Sequence, residues 1–388
     1  MTVARPERIL HVAPTPFFSD RGCHIRIRGL VMGLDSLGAD NLVCTYGLGN
    51  DVPEVETVRC PKIPGYSKTS AGPSFFRFIA DPLLVFTVAG RIRKYRPVIL
   101  HCHLHEGVLI GWLAKYLALK PRLRIVFDVQ GGLESELVSY GHLKSSWLRK
   151  IVHAIEGFII RRADAYSCSS EASVALLVDD FGVEPSIVAH VPDGADVSLA
   201  GAGDRGDGGG SQPIAIYTGG LSESKGLSML MEIIRVSAER NPDLRFLIVG
   251  YPTDELQAFL DEHQLQNCEL AGRIPFEQLG EYLNKADVCI EPKSAETSEA
   301  SGKLLNYMSS GRPTVCFDTP NNRAIMADSG FFAEQPTAAS FVDQLATVIA
   351  NPAIAAERGA RARELIEQQY SWRSSALRIM DRYVELLA

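Results

Sequence analysis

The pattern that most constrains the fold is a repeated alternation of short apolar runs with longer segments of helical spacing. Helical stretches separate most of the runs in the first half, and the second half restarts the same alternation at Ile214. Because strands that alternate with helices form parallel sheets covered on both faces, the chain predicts a doubly wound α/β fold. The strands predicted in the first half lie at residues 8–14, 41–46, 55–60, 98–104, 125–130, 165–170 and 187–191.

A change of composition at residues 199–212 (LAGAGDRGDGGGSQ) divides the chain. The G-x-G-x-x-G pattern inside it follows no strand and opens no helix, so it predicts a linker rather than a dinucleotide-binding turn. A chain of 388 residues has the length for about two domains. We therefore expect an N-terminal domain over 1–198, a C-terminal domain over 213–370 and a final helix over 371–388.

The charge and the cysteines limit the class of protein. A net charge of −7 argues against broad nucleic-acid binding. The first 195 residues carry a net charge of +3 and the remainder −10, so the first half is the better match for an anionic acceptor or membrane surface. The eight cysteines include no C-x-x-C pair and there is no signal-peptide pattern. We expect buried thiols, no metal and a cytoplasmic location.

The stretch at residues 291–316 predicts an anion site, because a polar loop joins an apolar strand to a short helix. Backbone N–H groups near Ser301, Gly302 and Lys303 would face a diphosphate, which the helix dipole favours. Lys303 and Asn306 are three residues apart, so both can face one ligand. The alternative is an ordinary crossover with a solvated acidic loop.

A second candidate anion site is the loop from Gly219 to Gly226, between a strand and a helix. Gly219 and Gly220 would let a phosphate approach the backbone, and Lys225 can neutralise its charge. The spacing is not that of a P-loop. Together with the helix start at Ser301, this loop would bring two anion sites to neighbouring strand ends.

Polar side chains also end two strands of the first half. Strand alternation puts His101, His103 and His105 on one face, where three histidines could bind a metal. No matching carboxylate spacing accompanies them, so we expect His103 and His105 to be hydrogen-bonding groups in a cleft. Asp128 and Glu134 follow the next strand, and either carboxylate is a candidate catalytic group unless Glu134 caps a helix.

Residues 75–96 and 147–162 each combine aromatic and aliphatic side chains with a basic end. Either stretch could lie on a membrane surface, which would place the protein at the inner face of the membrane. The favoured alternative is a pair of core helices with solvated basic ends.

Several short motifs follow one another in a fixed order. They are Gly22, His101-Cys102-His103, Ala163-Asp164-Ala165, Val191-Pro192-Asp193-Gly194, the Gly219–Gly226 loop, Ala271-Gly272-Arg273-Ile274-Pro275, Lys303-Leu304-Leu305-Asn306-Tyr307-Met308, Gly311-Arg312-Pro313 and Tyr370-Ser371-Trp372. Their order and spacing resemble the retaining glycosyltransferases of family 4, which have the GT-B fold. The resemblance runs along nearly the whole chain.

This resemblance implies two Rossmann-like domains that face each other across a cleft, with the last helix crossing back to the N-terminal domain. It implies that the N-terminal domain binds the acceptor, that the C-terminal domain binds a nucleotide-diphosphate sugar, and that no metal or other cofactor is needed. The implied catalytic residues are His103, His105, Asp128, Gln130 and Glu299. The implied donor-binding residues are Gly22, Gly219, Gly220, Lys225, Gly250, Arg273, Ile274, Ser301, Gly302, Lys303 and Asn306.

Three positions depart from the family pattern. Gly220 stands where the family has an arginine, so one cation is missing and Lys303 is the candidate to replace it. Gln130 stands where a histidine is expected. The family's E-x7-E pair falls on Ser298 and Asn306, which leaves Asn306 to bond a ribose hydroxyl and Glu299 to hold the donor sugar.

The resulting hypothesis is a hexosyltransferase that moves a sugar to a glycan or lipid-linked acceptor, as in polysaccharide biosynthesis. Two alternatives remain open. One is another GT-B enzyme that rearranges or hydrolyses a nucleotide-sugar, and the other is a non-catalytic nucleotide-sugar-binding subunit of a polysaccharide assembly complex.

Overall fold

Two parallel sheets organise the chain, one in each of the two units into which it divides. The first unit comprises Met1–Gly194 with Trp372–Ala388, and the second comprises Ala195–Ser371. The sequence places the boundaries a few residues away, at 198, 213 and 370. The structure is a computed structural model, and it describes residues 8–19, 22–69, 74–139, 145–195, 212–293 and 302–388.

The sheet of the first unit has seven strands in the order β3-β2-β1-β4-β5-β6-β7, all parallel. The strands are β1 (Arg8–Ala13), β2 (Asp40–Thr45), β3 (Thr57–Arg59), β4 (Ile99–His103), β5 (Arg124–Val129), β6 (Ala165–Cys168) and β7 (Val188–His190). The central strands are buried along almost their whole length, as strands covered by helices on both faces must be. The helices are α1 (Gly22–Asp35), α2 (Arg77–Tyr95), α3 (Leu104–Leu117), α4 (Leu133–Ser139), α5 (Ser146–Ile160), α6 (Glu171–Ala175) and α14 (Trp372–Leu387).

The sheet of the second unit has six parallel strands in the order β10-β9-β8-β11-β12-β13. The strands are β8 (Ile214–Thr218), β9 (Arg245–Val249), β10 (Cys268–Leu270), β11 (Val288–Glu291), β12 (Thr314–Phe317) and β13 (Phe331–Ala333). The helices are α7 (Leu227–Arg240), α8 (Asp254–Glu262), α9 (Leu279–Asn284), α10 (Gly302–Ser309), α11 (Pro320–Met326), α12 (Ala338–Ala350) and α13 (Pro352–Gln369). The predicted doubly wound α/β architecture with two Rossmann-like sheets is confirmed.

The last helix, α14, belongs to the first unit and packs against α1. Two glycines of α1 make this approach possible, because a Cβ on Gly29 would lie 2.1 Å from the Trp372 ring and one on Gly33 would lie 2.4 Å from the Trp372 carbonyl oxygen. The Tyr383 hydroxyl reaches Nδ1 of His101 in β4 at 2.5 Å. The final helix is therefore part of the core of the first unit.

Some local predictions differ from the structure. The strand β13 was not predicted, because three consecutive apolar residues give no alternation to detect. The helix predicted from Phe276 to Lys285 begins as a 3-10 turn at Phe276–Gln278 before α9 starts. The predicted linker lies outside the described residues apart from Gln212. Among the residues that the structure describes, none of the helices is both long and apolar enough to cross a membrane.

Candidate functional site

The strand order of the second unit reverses between β8 and β11, and ligands of doubly wound sheets bind at such a reversal. The two loops predicted to bind anions follow these two strands and touch each other. A Cβ on Gly226 would lie 2.9 Å from the Pro292 carbonyl oxygen, and one on Gly219 would lie 3.0 Å from Cδ of Lys303. Both loops therefore meet at the same edge of the sheet, beside the start of α10.

The loop after β8 has a backbone that only glycine accommodates easily. Gly219 has φ of +124°, a conformation that side chains with a Cβ rarely adopt. Gly250, at the end of the neighbouring strand β9, lies so close that a Cβ there would be 2.1 Å from the Gly219 carbonyl oxygen. A Cβ on Gly220 would meet no heavy atom within 4 Å, so this position faces open space.

Lys303 does not present an uncompensated charge. Its Nζ lies 3.0 Å from Oε1 of Glu291, donates to the Tyr217 hydroxyl at 3.2 Å and stands 4.3 Å above the Tyr217 ring. Burial alone would lower the pKa of Lys303, but the Glu291 carboxylate and the Tyr217 hydroxyl together outweigh it and raise that pKa. The prediction that Lys303 replaces the missing arginine stays a prediction, and in this structure the almost fully buried Glu291 carboxylate offsets the Lys303 charge.

A tyrosine of α10 fixes this helix against the sheet. The Tyr307 hydroxyl accepts hydrogen bonds from the backbone N–H of Thr218 at 2.8 Å and from the Thr218 hydroxyl at 3.2 Å. Tyr307 is fully buried, so this contact ties the helix to the carboxyl end of β8. The position of the α10 N-terminus relative to the Gly219 loop is thereby set by side chains of the core.

The remaining donor-binding candidates belong to the second unit, with the exception of Gly22, and one of them lies outside the described residues. Lys225 ends a 3-10 turn before Gly226, and Arg273 follows β10 with its guanidinium 5.0 Å from the Tyr251 ring centroid. Ile274 packs on the core, Gly302 and Asn306 belong to α10, and Gly22 is the first residue of α1 in the other unit. Glu299 and Ser301 lie outside the described residues.

The first unit carries a row of polar side chains across the centre of its sheet. His11 in β1 pairs in register with His101 in β4, and His103 in β4 pairs with Asp128 in β5. Asp128 pairs in turn with Ser167 in β6. These five side chains are buried, so their polar atoms must bond one another or a helix above.

Asp128 is surrounded by donors. Arg26 of α1 donates to it through Nε at 3.1 Å and Nη2 at 2.7 Å, and Arg26 also reaches Asp193 at 2.7 Å. Burial alone would raise the pKa of Asp128, but the Arg26 charge and the His103 hydrogen bond hold that pKa well below its usual value. The other donors to the carboxylate are His103 Nδ1 at 3.0 Å, Ser167 Oγ at 3.0 Å and Gln130 Nε2 at 2.8 Å.

The Asp128 carboxylate is fully buried, and these hydrogen bonds engage both of its oxygens. The prediction of Asp128 and His103 as catalytic groups stays a prediction, and in this structure both side chains hold their neighbours in place. Gln130 is half-buried, and its Nε2 is fixed by Asp128. Within the described part of the chain no group bonds Gln130 Oε1, which leaves that oxygen as the polar atom that the network orients.

His11, His101 and His103 form a compact cluster whose ring nitrogens lie within 4.8 Å of one another. His11 Nε2 bonds Asn41 Oδ1 at 3.0 Å, and His11 Nδ1 faces His103 Nε2 at 3.1 Å. Asn41 Nδ2 donates to Asp35, which fixes the amide and gives His11 its proton on Nε2. Of the ring nitrogens of these three histidines, only His101 Nε2 lacks a hydrogen-bond partner among the described residues.

His105, the other predicted catalytic histidine, belongs to a separate pair. Its Nε2 lies 3.1 Å from Oε1 of Glu156 in α5, and Glu156 also accepts from the backbone N–H groups of Leu133 and Glu134 at 2.7 and 3.2 Å. Burial alone would raise the pKa of Glu156, but the bonds from His105 and these amides outweigh it and lower that pKa. Glu156 therefore caps α4, and Glu134 bonds Arg149 instead.

Sequence reasoning missed the partners that control these groups. They are Arg26, Glu156, Tyr217 and Glu291, and each pairs with a residue distant in sequence or across a loop. Asp193 was available as part of the Val-Pro-Asp-Gly motif, but nothing in that motif indicates an arginine partner.

Comparisons with known proteins agree with this geometry. The family model described as "Glycosyl transferase 4-like domain" matches residues 21–194, and the model described as "Glycosyl transferases group 1" matches residues 212–351. Glycogen synthase of Mycobacterium tuberculosis is 20% identical over 299 residues, which cover 74% of this chain and 68% of that protein.

Solved structures share the fold over nearly the whole length. Sucrose-phosphate synthase from Thermosynechococcus elongatus superposes with a TM-score of 0.75 at 18% identity, covering 98% of this chain and 99% of that one. HepE from Anabaena, solved in complex with UDP and glucose, has a TM-score of 0.72 at 14% identity and covers 97% of this chain and 98% of its own. The fold is therefore that of the GT-B proteins.

The two family matches together cover most of the chain, one in each unit. The chain therefore carries a glycosyltransferase 4-like domain in its first unit and a glycosyltransferase group 1 domain in its second.

Proposed function

We propose that the protein is a retaining hexosyltransferase that moves a sugar from a nucleotide-diphosphate sugar to a glycan or lipid-linked acceptor. The observation that supports it most is the meeting of the Gly219–Gly226 loop with the start of α10 at the strand-order reversal of the second unit. A diphosphate at this edge would have backbone N–H groups on one side and Lys225 on the other. HepE, a fold relative, was solved with UDP and glucose, which fits a donor of this class.

The leaving diphosphate gains negative charge as the bond to the sugar breaks. Lys225 and the free N–H groups that open α10 would stabilise that charge, which is the largest contribution such a site can make. Lys303 acts through position rather than charge, since Glu291 neutralises it while Lys303 packs against Gly219. No metal or other cofactor is part of this proposal.

We assign the contacts with the acceptor and the donor sugar to residues of the first unit and to Glu299. Gln130 and His105 are the proposed contacts, because Asp128 holds one and Glu156 the other in a fixed orientation. Gly22, which opens α1 after β1, would offer backbone N–H groups to the same ligand.

The test is sugar transfer and donor hydrolysis by the purified protein and by Lys225→Ala. We expect Lys225→Ala to lower kcat by about 10²- to 10³-fold, the effect of removing one donor to a developing anion. Lys285→Ala is the matched control, because Lys285 is an exposed lysine of the same unit with its ammonium 4.4 Å from the Tyr282 ring centroid. Equal activity of Lys225→Ala and wild type would refute the proposed role of Lys225.

A donor screen decides between the remaining functions. A UDP-, GDP- or CDP-sugar at about a hundred times its Kd should stabilise the second unit by about 2.7 kcal/mol in a thermal-shift measurement. Turnover that requires an added acceptor supports a transferase, and turnover without one indicates an epimerase or hydrolase. Binding with no turnover under any condition indicates a non-catalytic subunit.

A further inference from the structure

Three neighbouring helices of the first unit expose large apolar side chains. Helix α3 packs between α2 and α5, so their outer surfaces are continuous. We name this surface the apolar face. Its members are Phe75, Phe78, Ile79, Phe86, Leu113, Tyr116, Leu117, Leu119, Trp147, Ile151, Ile155 and Phe158.

Helix α2 is apolar on both of its sides. Ala80, Leu84 and Val88 point into the core, as a helix covering a sheet requires. The opposite side carries Phe78 and Phe86, which are 76% and 66% exposed. A helix on the surface of a globular protein normally has charged or polar groups there, so the outer side of α2 is built for contact with something apolar.

Helix α5 repeats the arrangement. Trp147, Ile151, Ile155 and Phe158 recur at helical spacing on one exposed stripe, and Trp147 is 64% exposed. Among the described residues of the second unit, only Tyr251 and Ile354 are large apolar side chains exposed to this degree. The apolar exposure is thus concentrated on one face of one unit.

The charge around the apolar face is mostly positive. Residues 74–124 and 145–162 hold 13 lysines and arginines against 3 aspartates and glutamates, a net charge of +10 in a chain whose total is −7. The cations lie among the apolar groups, as Arg162 shows with its guanidinium 4.1 Å from the Phe158 ring centroid and 4.9 Å from that of Trp112. The ligand of this face must combine apolar surface with negative charge.

We propose that the apolar face docks on the surface of an anionic lipid membrane. The aromatic and aliphatic side chains would enter the boundary between headgroups and acyl chains, while lysines and arginines pair with lipid phosphates. A second copy of the chain fits poorly, because two faces of the same large positive charge would oppose each other. This docking goes beyond sugar transfer and does not depend on it.

The test is flotation of the full chain with vesicles of phosphatidylcholine alone and of phosphatidylcholine with phosphatidylglycerol. Binding is expected only with phosphatidylglycerol present, and it should weaken as salt is raised because screening shortens the reach of the charges. Three exposed lysines beside the three helices, Lys94, Lys120 and Lys150, test the charge. Each change to alanine should weaken binding about fivefold, and all three together about a hundredfold.

The apolar contribution is tested by the triple variant Phe75→Ser, Phe78→Ser and Phe86→Ser, which is expected to abolish flotation. Ile354→Ser, at an exposed isoleucine of the second unit, is the matched control and should bind like wild type. Because all of these side chains are exposed, the variants should unfold at nearly the wild-type temperature, which confirms that they fold.

Tryptophan fluorescence gives an independent reading. Trp147 should shift to shorter wavelength and be quenched by brominated lipid, and Trp147→Phe should remove most of that signal. Failure of the wild-type protein to bind phosphatidylglycerol vesicles overturns the proposal. Binding by the triple variant Phe75→Ser, Phe78→Ser and Phe86→Ser that equals wild-type binding overturns it too. Self-association or capture of an acidic protein through this face, without vesicle binding, overturns it as well.

Discussion

Individual residues in both units show how buried charge limits the chemistry. Asp128 and Glu291 are both buried carboxylates, and each pairs with a cation, Arg26 and Lys303 respectively. A buried ion pair of this kind costs several kcal/mol when one partner is removed, so the pairs are held for structure. The polar groups proposed to contact a ligand are neighbours of these ion pairs, such as Gln130, which Asp128 holds in place.

The approach of Gly250 to Gly219 gives a first prediction at this scale. Gly250→Ala would place a Cβ 2.1 Å from a backbone oxygen, and we expect it to destabilise the second unit by about 1–3 kcal/mol. Gly220→Ala is the control, because a Cβ there meets nothing within 4 Å and should change stability by less than about 0.5 kcal/mol. Calorimetric unfolding measures both, and equal stability of the two variants would contradict the packing described here.

The buried histidines give a prediction for pH. Burial, and then the nearby His103, lowers the pKa of His11 to about 3, and burial likewise lowers that of His101. Because the folded-state pKa lies below the unfolded one, the unfolded chain binds more protons as the pH falls. The first unit should therefore lose about 1.4 kcal/mol per pH unit from His11 alone as the pH falls from about 6.5 towards 3.

Denaturant unfolding followed by tryptophan fluorescence measures this loss, because all three tryptophans belong to the first unit. In His11→Gln, the pH dependence of the unfolding free energy between pH 6.5 and 5.5 should lack the contribution of this one histidine. His263→Gln, at an exposed histidine of the second unit, should leave it unchanged. The same slope in His11→Gln and wild type would rule out this role for His11.

At the level of elements, the sequence predicts most of the fold because apolar runs and helical spacing are local signals. The strand β13 was not predicted, since Phe331–Ala333 is too short to show an apolar pattern. The sequence left open whether residues 75–96 lie on a membrane surface or form a core helix, because side chains such as Phe78 and Phe86 look like core residues until the neighbours of the helix are known. Long-range pairs such as Arg26 with Asp128 have no signal in a single sequence.

Helix α14 provides a prediction at this scale. Removal of Trp372–Ala388 would expose the core around Leu30 and remove Ile379, Met380 and Tyr383, which are all buried. Each such side chain contributes about 1.5–3 kcal/mol, and a domain has only about 5–15 kcal/mol in total. We expect the truncated chain to lose the cooperative transition reported by Trp112 and Trp147. A chain ending at Glu385 should keep it, and an unchanged transition after the longer truncation would contradict the assignment of α14 to this core.

At the scale of the whole molecule, the two units are proposed to bind different ligands. The second unit is proposed to hold the nucleotide diphosphate, and the first is proposed to hold the acceptor and to carry the apolar face. The family matches fall one in each unit, which agrees with such a division. The order of the motifs in the sequence predicts this division. The contacts around the proposed diphosphate site are visible only in the folded structure.

The most direct measurement is a crystal structure of the protein soaked with a nucleoside diphosphate. We expect density for the two phosphates beside the loop from Gly219 to Gly226, within hydrogen-bonding distance of Lys225 Nζ and of the N–H groups that open α10. Phosphate density at any other edge of the sheet, or in the first unit, would contradict it.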